Sequence, residues 1–423
     1  MTSKAVSLAT AALLGLSVWP AFADWPQFRG PNHDGTTSET IRTNWTTSGL
    51  RPVWKEPMRD GFSAITLGEG KAFTMVTQDV DGAPQEVCVA LDAKTGKPLW
   101  STPMGVAKYD GGGDNGTPDN NGGDGPRSTP SYDHGKVYVY SARMVLKCMD
   151  ANDGHQIWTC DIIKEHAGKN IHWESAASPL VEGDLVYVVG GGEGQGLLAF
   201  DKNDGHVVWK AEDDKMTHST PIATTILGKR QIIFFTQSGL VAAEPKTGEV
   251  LWRYHFPYKV SSAISPVVSG DVVYCSAAYG VGSSACKIVS QDGKFAAQQL
   301  WMQSGSKAAN HWSTPVCKDG FIYGIFDQAK FGTAPLECID LLTGNVRWKQ
   351  EGFGPGGCIL VDGCVLALTD AGDLVLVKAT PAAYTEIARS HVLSGKCWNT
   401  ASISDGRLYA RSTKEGVSLD VAP

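Results

Sequence analysis

The apolar positions of this chain fall in short runs of period two. Val137–Ser141 reads VYVYS, Leu185–Gly191 reads LVYVVGG and Val272–Ala277 reads VVYCSA. Each run follows a turn that ends in glycine, and each turn follows a Ser-Pro or Thr-Pro. The full phrases are STPSYDHGKVYVYS from Ser128, ASPLVEGDLVYVVGG from Ala177, STPIATTILGKRQIIFF from Ser219, SPVVSGDVVYCSA from Ser265 and STPVCKDGFIYGIF from Ser313. Weaker versions start at Gly356 and Thr400. Alternation predicts half-buried strands, and the glycine turn predicts hairpins. The proline is tolerated because it opens the first strand and removes no ladder hydrogen bond there.

A second phrase follows each hairpin. ALDAKTGKPLW (Ala90 to Trp100) returns as CMDANDGHQIW, AFDKNDGHVVW, AAEPKTGEVLW and CIDLLTGNVRW, ending at Trp158, Trp209, Trp252 and Trp348, with a degraded copy ending at Trp301. The acid ends a third strand and caps the amides two or three residues on. The glycine supplies a positive φ, and the fourth strand carries the tryptophan. One unit is therefore a four-stranded antiparallel meander with two bare faces and two bare edges. Stacking units radially buries the faces, with each tryptophan wedged between neighbours. The expected fold is all-β: an eight-bladed β-propeller. Six complete units run from 62 to 348, and a seventh spans 354–392 without a tryptophan, Tyr384 being its nearest substitute. The eighth has inner strands from Trp398 to Val421, and its outer strand is expected from the N-terminal LRPVWKEP (Leu50 to Pro57).

Composition changes the picture only at its edges. A chain of 423 residues with 42% hydrophobic and 19% charged residues can pack a core. A net charge of -7 without a Lys/Arg cluster argues against nucleic acid or an anionic membrane surface as partner. Residues 1–23 read as a cleaved signal peptide: Lys4, an apolar run from Ala5 to Val18, then Ala21-Phe22-Ala23. Residues 24–423 are then one propeller domain, periplasmic or secreted, with no transmembrane segment and expected to be a monomer. Export permits disulfides among the ten cysteines. Several of these, such as Cys88, Cys148 and Cys338, sit in strand patterns where a cysteine serves as a small buried hydrophobe.

The tryptophan phrase resembles the docking motif of pyrroloquinoline-quinone (PQQ) repeat propellers. DWPQFRGPNHDG (Asp24 to Gly35) and GPRSTP (Gly125 to Pro130) are similar to exported BamB-like members of that group. The resemblance covers nearly the whole chain after residue 23, and it implies the fold more sharply than an activity. Quinoprotein dehydrogenases of this fold hold PQQ and calcium over the central channel. They usually carry a vicinal cysteine pair, and some carry C-x-x-C-H; this sequence has neither. BamB is a periplasmic lipoprotein that binds partners in outer-membrane barrel folding, and no lipid-attachment cysteine is present here. The resemblance therefore favours a non-catalytic binding or scaffold protein of the cell envelope. Its partner would be an envelope protein or a small-molecule ligand at the funnel. A PQQ-dependent dehydrogenase is the alternative, with PQQ and calcium as its cofactors.

Counting back from each proline places a ring of residues at the channel rim: Arg127, His172, Trp173, Glu174, His218, His311, Trp312, Trp398 and Asn399. The aromatics suit a planar or sugar-like ligand and Arg127 suits a carboxylate. Glu174 and Asn399 offer oxygen to calcium. The plainer reading is a set of side chains lining a solvated mouth. The insertion Tyr109 to Arg127 adds Asp110, Asp114, Asp119 and Asp124, weak calcium candidates. It does not fit the D-x-[DN]-x-[DN]-G-x₅-E template, so a polar loop over the ring face is the simpler expectation.

Overall fold

The computed structural model describes residues 25–45, 50–109, 125–327 and 332–423. The expected signal peptide, 1–23, and the calcium candidates Asp110, Asp114, Asp119 and Asp124 lie outside the described residues.

Eight antiparallel sheets follow one another along the chain and close into a ring. Blade 1 comprises Thr66–Gly68, Lys71–Val80, Ala83–Asp92 and Pro98–Val106. Blades 2 to 7 follow over 131–161, 180–211, 222–255, 267–303, 316–350 and 357–391. Blade 8 holds Ser402–Ser404, Arg407–Arg411 and Glu415–Asp420, and its outer strand is Pro52–Pro57, paired antiparallel with Lys55 opposite Val417. The ring thus closes through the N-terminal strand, as the repeat count predicts. Fully buried Arg411 reinforces the seam. Its guanidinium donates to the carbonyls of Met75 (2.7 Å) and Arg59 (2.5 Å), joining blade 8 to the first blade and its entry segment. Burial pulls its pKa to about 9, so it stays charged at neutral pH.

The repeated phrase is a joint between blades. Asp92 accepts hydrogen bonds from the amides of Lys94 and Thr95, and Glu244 does the same for Lys246 and Thr247. The turn so held presents a carbonyl and a glycine to the preceding blade. Trp54 Nε1 donates to Ala93 O (3.0 Å), Trp100 to Ala151 O (3.0 Å), Trp209 to Pro245 O (2.7 Å) and Trp301 to Leu341 O (2.8 Å). Each indole lies on the glycine of the same turn: a Cβ on Gly205 would stand 2.6 Å from Trp158. Blade 5 has the degraded turn, and there Trp252 bonds instead to Gln231 Oε1 of its own blade (2.6 Å). Tyr384 does not replace the missing tryptophan of blade 7. It lies in the receiving turn, edge-on to Trp348 of blade 6 at 5.7 Å, while Ala388 occupies the tryptophan register. All ten cysteines are free, nine of them buried.

The Ser/Thr-Pro phrases do more than open strands. At four of the five Ser/Thr-Pro prolines the preceding hydroxyl accepts the amide of the matching residue one blade earlier: Ala64 N to Thr129, Thr129 N to Ser178, Ser178 N to Thr220 and Ser265 N to Thr314, at 2.9–3.0 Å; Ser265 Oγ instead donates to Thr220 O at 2.9 Å. These bonds run from blade 1 to blade 6 as a belt at the channel wall.

Residues 25–37 plug the channel. The carbonyls of Trp25 and Pro26 accept from Leu67 N and Tyr132 N, Gln27 brackets the backbone of Val181, and His33 Nδ1 meets Ala223 O. Arg29 donates to Thr314 O (2.9 Å) and Pro315 O (2.6 Å), and Thr36–Thr37 pairs parallel with Leu360 and Val361. One short segment thereby contacts the innermost strands of six blades. A pocket lies beside it, with Phe28 of the segment among its lining residues.

A candidate binding funnel over the central channel

The plugged channel forms a funnel with a cavity of ≈ 180 Å³. Every blade contributes to its wall, and Phe28 of the plug forms its floor. Seven of the nine rim residues expected from sequence line it: Arg127, Trp173, His218, His311, Trp312, Trp398 and Asn399. His172 is exposed beside the Trp173 ring at 4.6 Å. Glu174 is buried, accepts from Asn170 Nδ2 and pairs with Arg143 at 3.2 Å, and is not among the lining residues.

The aromatic residues form a continuous arc. Phe62 stacks on Trp398 (4.7 Å), Trp398 meets Trp312 (4.8 Å), and Trp312 meets His311 (4.3 Å). His311 lies edge-on to Tyr279 (5.2 Å), and Tyr279 stacks with Trp173 (6.0 Å). Arg127 closes the gap between Trp173 and Phe62. It donates to the Trp173 carbonyl and lies 5.2 Å over the Tyr109 ring. Behind it, buried Glu86 accepts from Tyr109 Oη (2.7 Å) and Ala142 N (2.9 Å).

Three non-glycine residues of this rim, or next to it, hold left-handed backbone: Trp173 (φ 68°), Glu174 (φ 63°) and Tyr279 (φ 58°). Such conformations cost roughly 1–2 kcal/mol each for an L-residue. For Trp173 and its neighbour, the bonds that compensate are visible. The carbonyl of Trp173 takes Arg127, and that of His172 takes His218 Nε2 at 3.1 Å. A carbonyl only accepts, so His218 carries its proton on Nε2, and Nδ1 accepts from Ser261 Oγ at 2.9 Å. Burial and the nearby Arg127 charge lower the His218 pKa to about 3. Burial, with His218 as a neighbour, lowers that of His311 to about 3 as well. Both rings are neutral at physiological pH, and His218 is a strut between blade 4, blade 5 and the Trp173 turn.

Counting from the prolines does not find Phe28, Tyr279 or the belt hydroxyls Thr129, Ser178, Thr220 and Thr314, all of which line the funnel. Tyr279 belongs to the turn between the second and third strands of blade 5. In a meander that turn returns to the same end of the blade as the first strand's start. An aromatic residue in a second–third turn is therefore a readable signal for the rim.

The match to known proteins is broad. The profile of the family described as outer membrane protein assembly factor BamB covers residues 83–350. A BamB from Yersinia pestis is 20% identical over 270 residues, 62% of this chain and 66% of that protein, just under two thirds of its length. Among solved structures, BamB from Moraxella catarrhalis superposes with a TM-score of 0.59 at 15% identity, over 88% of this chain and 97% of that one. Quinohemoprotein alcohol dehydrogenase from Comamonas testosteroni superposes with a TM-score of 0.66 at 16% identity, over 94% and 80%. The two structural likenesses show the fold alone; the profile match over more than half of the sequence shows that this chain belongs to the PQQ-like repeat propeller family of outer membrane protein assembly factor BamB.

Proposed function

We propose that this protein is an exported, non-catalytic propeller that acts as a binding and scaffold protein in the cell envelope, with its funnel as a ligand site. Residues 1–23 are its cleaved leader. The reading draws on the family match and on the relatives named as outer membrane protein assembly factors. The observation that carries it is the chemistry of the funnel. Its histidines are neutral, the aromatics form a packed arc, and among the described residues none that lines it is an Asp or Glu. Such a wall recognises shape and hydrogen bonds; its described residues offer no carboxylate for acid–base work.

The alternative of a PQQ-dependent dehydrogenase draws on the likeness of fold to the Comamonas enzyme. The described lining residues do not fit the cofactor pair. Calcium prefers several oxygen ligands including carboxylates. Among the described lining residues Asn399 is the single side-chain carbonyl, and Glu174 is committed to Arg143 and Asn170. A tricarboxylate such as PQQ would meet one cation among the described lining residues, Arg127.

The scaffold role is tested in envelopes of the source cell. A tagged chain should co-purify with the barrel-assembly machinery, and its deletion should lower the yield of folded outer-membrane β-barrel proteins. Unchanged barrel yield and no co-purification would overturn it. Titration of the purified chain with PQQ and calcium should give no saturable, calcium-dependent quenching of tryptophan fluorescence.

A further inference from the structure

One wall of the funnel carries more hydrogen-bonding capacity than the protein uses. Asn399 is only 8% exposed and lines the cavity, yet neither its Nδ2 nor its Oδ1 has a partner among the described residues. The hydroxyl of Thr400 beside it, that of Ser313 on blade 6, and Nδ1 of His311 are likewise unpartnered. All four residues line the same cavity. Leaving a buried polar group unsatisfied costs about 1–3 kcal/mol, and most such groups find a partner. Four residues converging on one space therefore mark a site for something that supplies hydrogen bonds. Gly357 of blade 7 packs directly against this strand start: a Cβ there would lie 2.5 Å from the backbone carbonyl oxygen of Asn399.

The chemistry of the set narrows the ligand. The Asn399 amide both donates and accepts, as do the two hydroxyls; the imidazole is neutral. No charge of either sign belongs to this group, so it gives an ion no Coulombic advantage over a neutral ligand. A neutral polyol matches it, because each hydroxyl both donates and accepts. On the same side Trp312 and Trp398 line the cavity, 4.8 Å apart, and they offer apolar ring surface. A flat heteroaromatic molecule is best held between parallel plates. Successive rings here tilt by 36°, 44° and 87°, so the wall is curved. A puckered ring with apolar C–H faces and equatorial hydroxyls suits a curved aromatic wall. The cavity is also more than tenfold what a single water needs.

We infer that the funnel binds a neutral saccharide unit, with the Asn399 amide bridging neighbouring ring hydroxyls, Ser313, Thr400 and His311 completing the hydrogen bonds, and Trp312 and Trp398 covering a C–H face. This rests on the reading of the funnel as a binding site, and not on the barrel-assembly role.

The test is titration of the purified full-length protein with glucose, galactose, N-acetylglucosamine and their β-linked dimers. Binding is followed by tryptophan fluorescence and calorimetry. At least one sugar is expected to bind saturably with one site per chain. Asn399→Leu keeps the shape and removes both amide groups. It should leave the melting temperature unchanged or raised, because an unsatisfied polar group is gone, yet weaken binding by roughly tenfold or more. Ser313→Ala is the second variant, with a smaller loss. Absence of saturable binding by any sugar, or full affinity in both variants, would overturn the inference. So would saturable binding of a peptide or of PQQ at this wall in place of sugars. None of these outcomes bears on co-purification with the barrel-assembly machinery, so the two readings fail separately.

Discussion

At the scale of single residues, the repeated phrase was legible because each letter answers a steric or hydrogen-bonding demand. The acid holds the turn, the glycine takes positive φ and the indole needs an acceptor. What the sequence did not disclose is direction, since each glycine receives the tryptophan of the blade before its own. Two glycines separate these effects. Gly183 (φ 60°) and Gly205 (φ 77°) both have left-handed backbone, but a Cβ on Gly183 meets nothing within 4 Å, while one on Gly205 would meet the Trp158 ring. Gly183→Ala should cost the backbone term alone, roughly 1–2 kcal/mol. Gly205→Ala should cost a further ~1–3 kcal/mol for overpacking. Urea unfolding of the two variants checks this, and equal midpoints would remove the platform role of Gly205. The rim was legible for a similar reason: proline fixes the start of each inner strand, so counting back from it finds Arg127 and the rim histidines and tryptophans.

At the scale of elements, the less legible parts are those without periodicity. The Trp25–Thr37 plug has no alternation, and its contacts are with strands of six blades spread along the chain from Leu67 to Val361, so nothing local marks Phe28 as a funnel residue. The Trp173 turn is similar, since its left-handed backbone depends on Arg127 and His218 from neighbouring blades. That dependence gives a pH signature. His218 and His311 are held neutral with pKa values near 3, whereas the unfolded chain protonates each near 6.5. Their contribution to stability is complete above about pH 6.5. It falls as pH drops toward 3, by up to about 1.4 kcal/mol per pH unit for each ring. Buried His33, also lowered, acts in the same direction. Glu337, pushed up to about 7 by burial, acts in the opposite one: the folded state takes its proton first, so it stabilises as pH falls from 7 toward 4.5. The His218 share is isolated by His218→Gln. Between pH 6.5 and 5 the variant's stability should fall less steeply than that of the parent, by about 1.4 kcal/mol per unit at most. Parallel curves in denaturant unfolding would contradict a neutral, buried His218.

At the scale of the whole molecule, the N-terminal segment does two separable things, and they predict different failures. Residues 25–37 fill the channel; Pro52–Pro57 closes the ring. A propeller is a stack of units whose stability is a sum over neighbouring interfaces, and closure adds the last interface, between blades 8 and 1. Trp54 sits in that interface, with its indole on Gly96 and its Nε1 bonded to Ala93 O. Deleting 25–37 removes the floor and the plug's hydrogen bonds but leaves every blade four-stranded. Such a chain should unfold at a lower temperature while remaining monomeric and cooperative. Deleting 25–57 also strips the outer strand from blade 8, exposing the edge of Glu415–Asp420. An unpaired edge is a template for pairing with another chain. The lost tryptophan contacts alone are worth about 3–5 kcal/mol by analogy with Trp→Ala changes in cores. The longer deletion should therefore melt well below the shorter one and self-associate, as seen by light scattering during size-exclusion chromatography. Trp54→Ala in the intact chain should lower stability without exposing the edge, and so without association. If both deletions melted alike and stayed monomeric, closure through the N-terminal strand would carry no energetic weight. The seam would then be held by the other contacts between blades 8 and 1: Arg411 on its carbonyl acceptors, Ser402 Oγ on Ile65 O, Tyr409 Oη on Ala93 O and the shared apolar core.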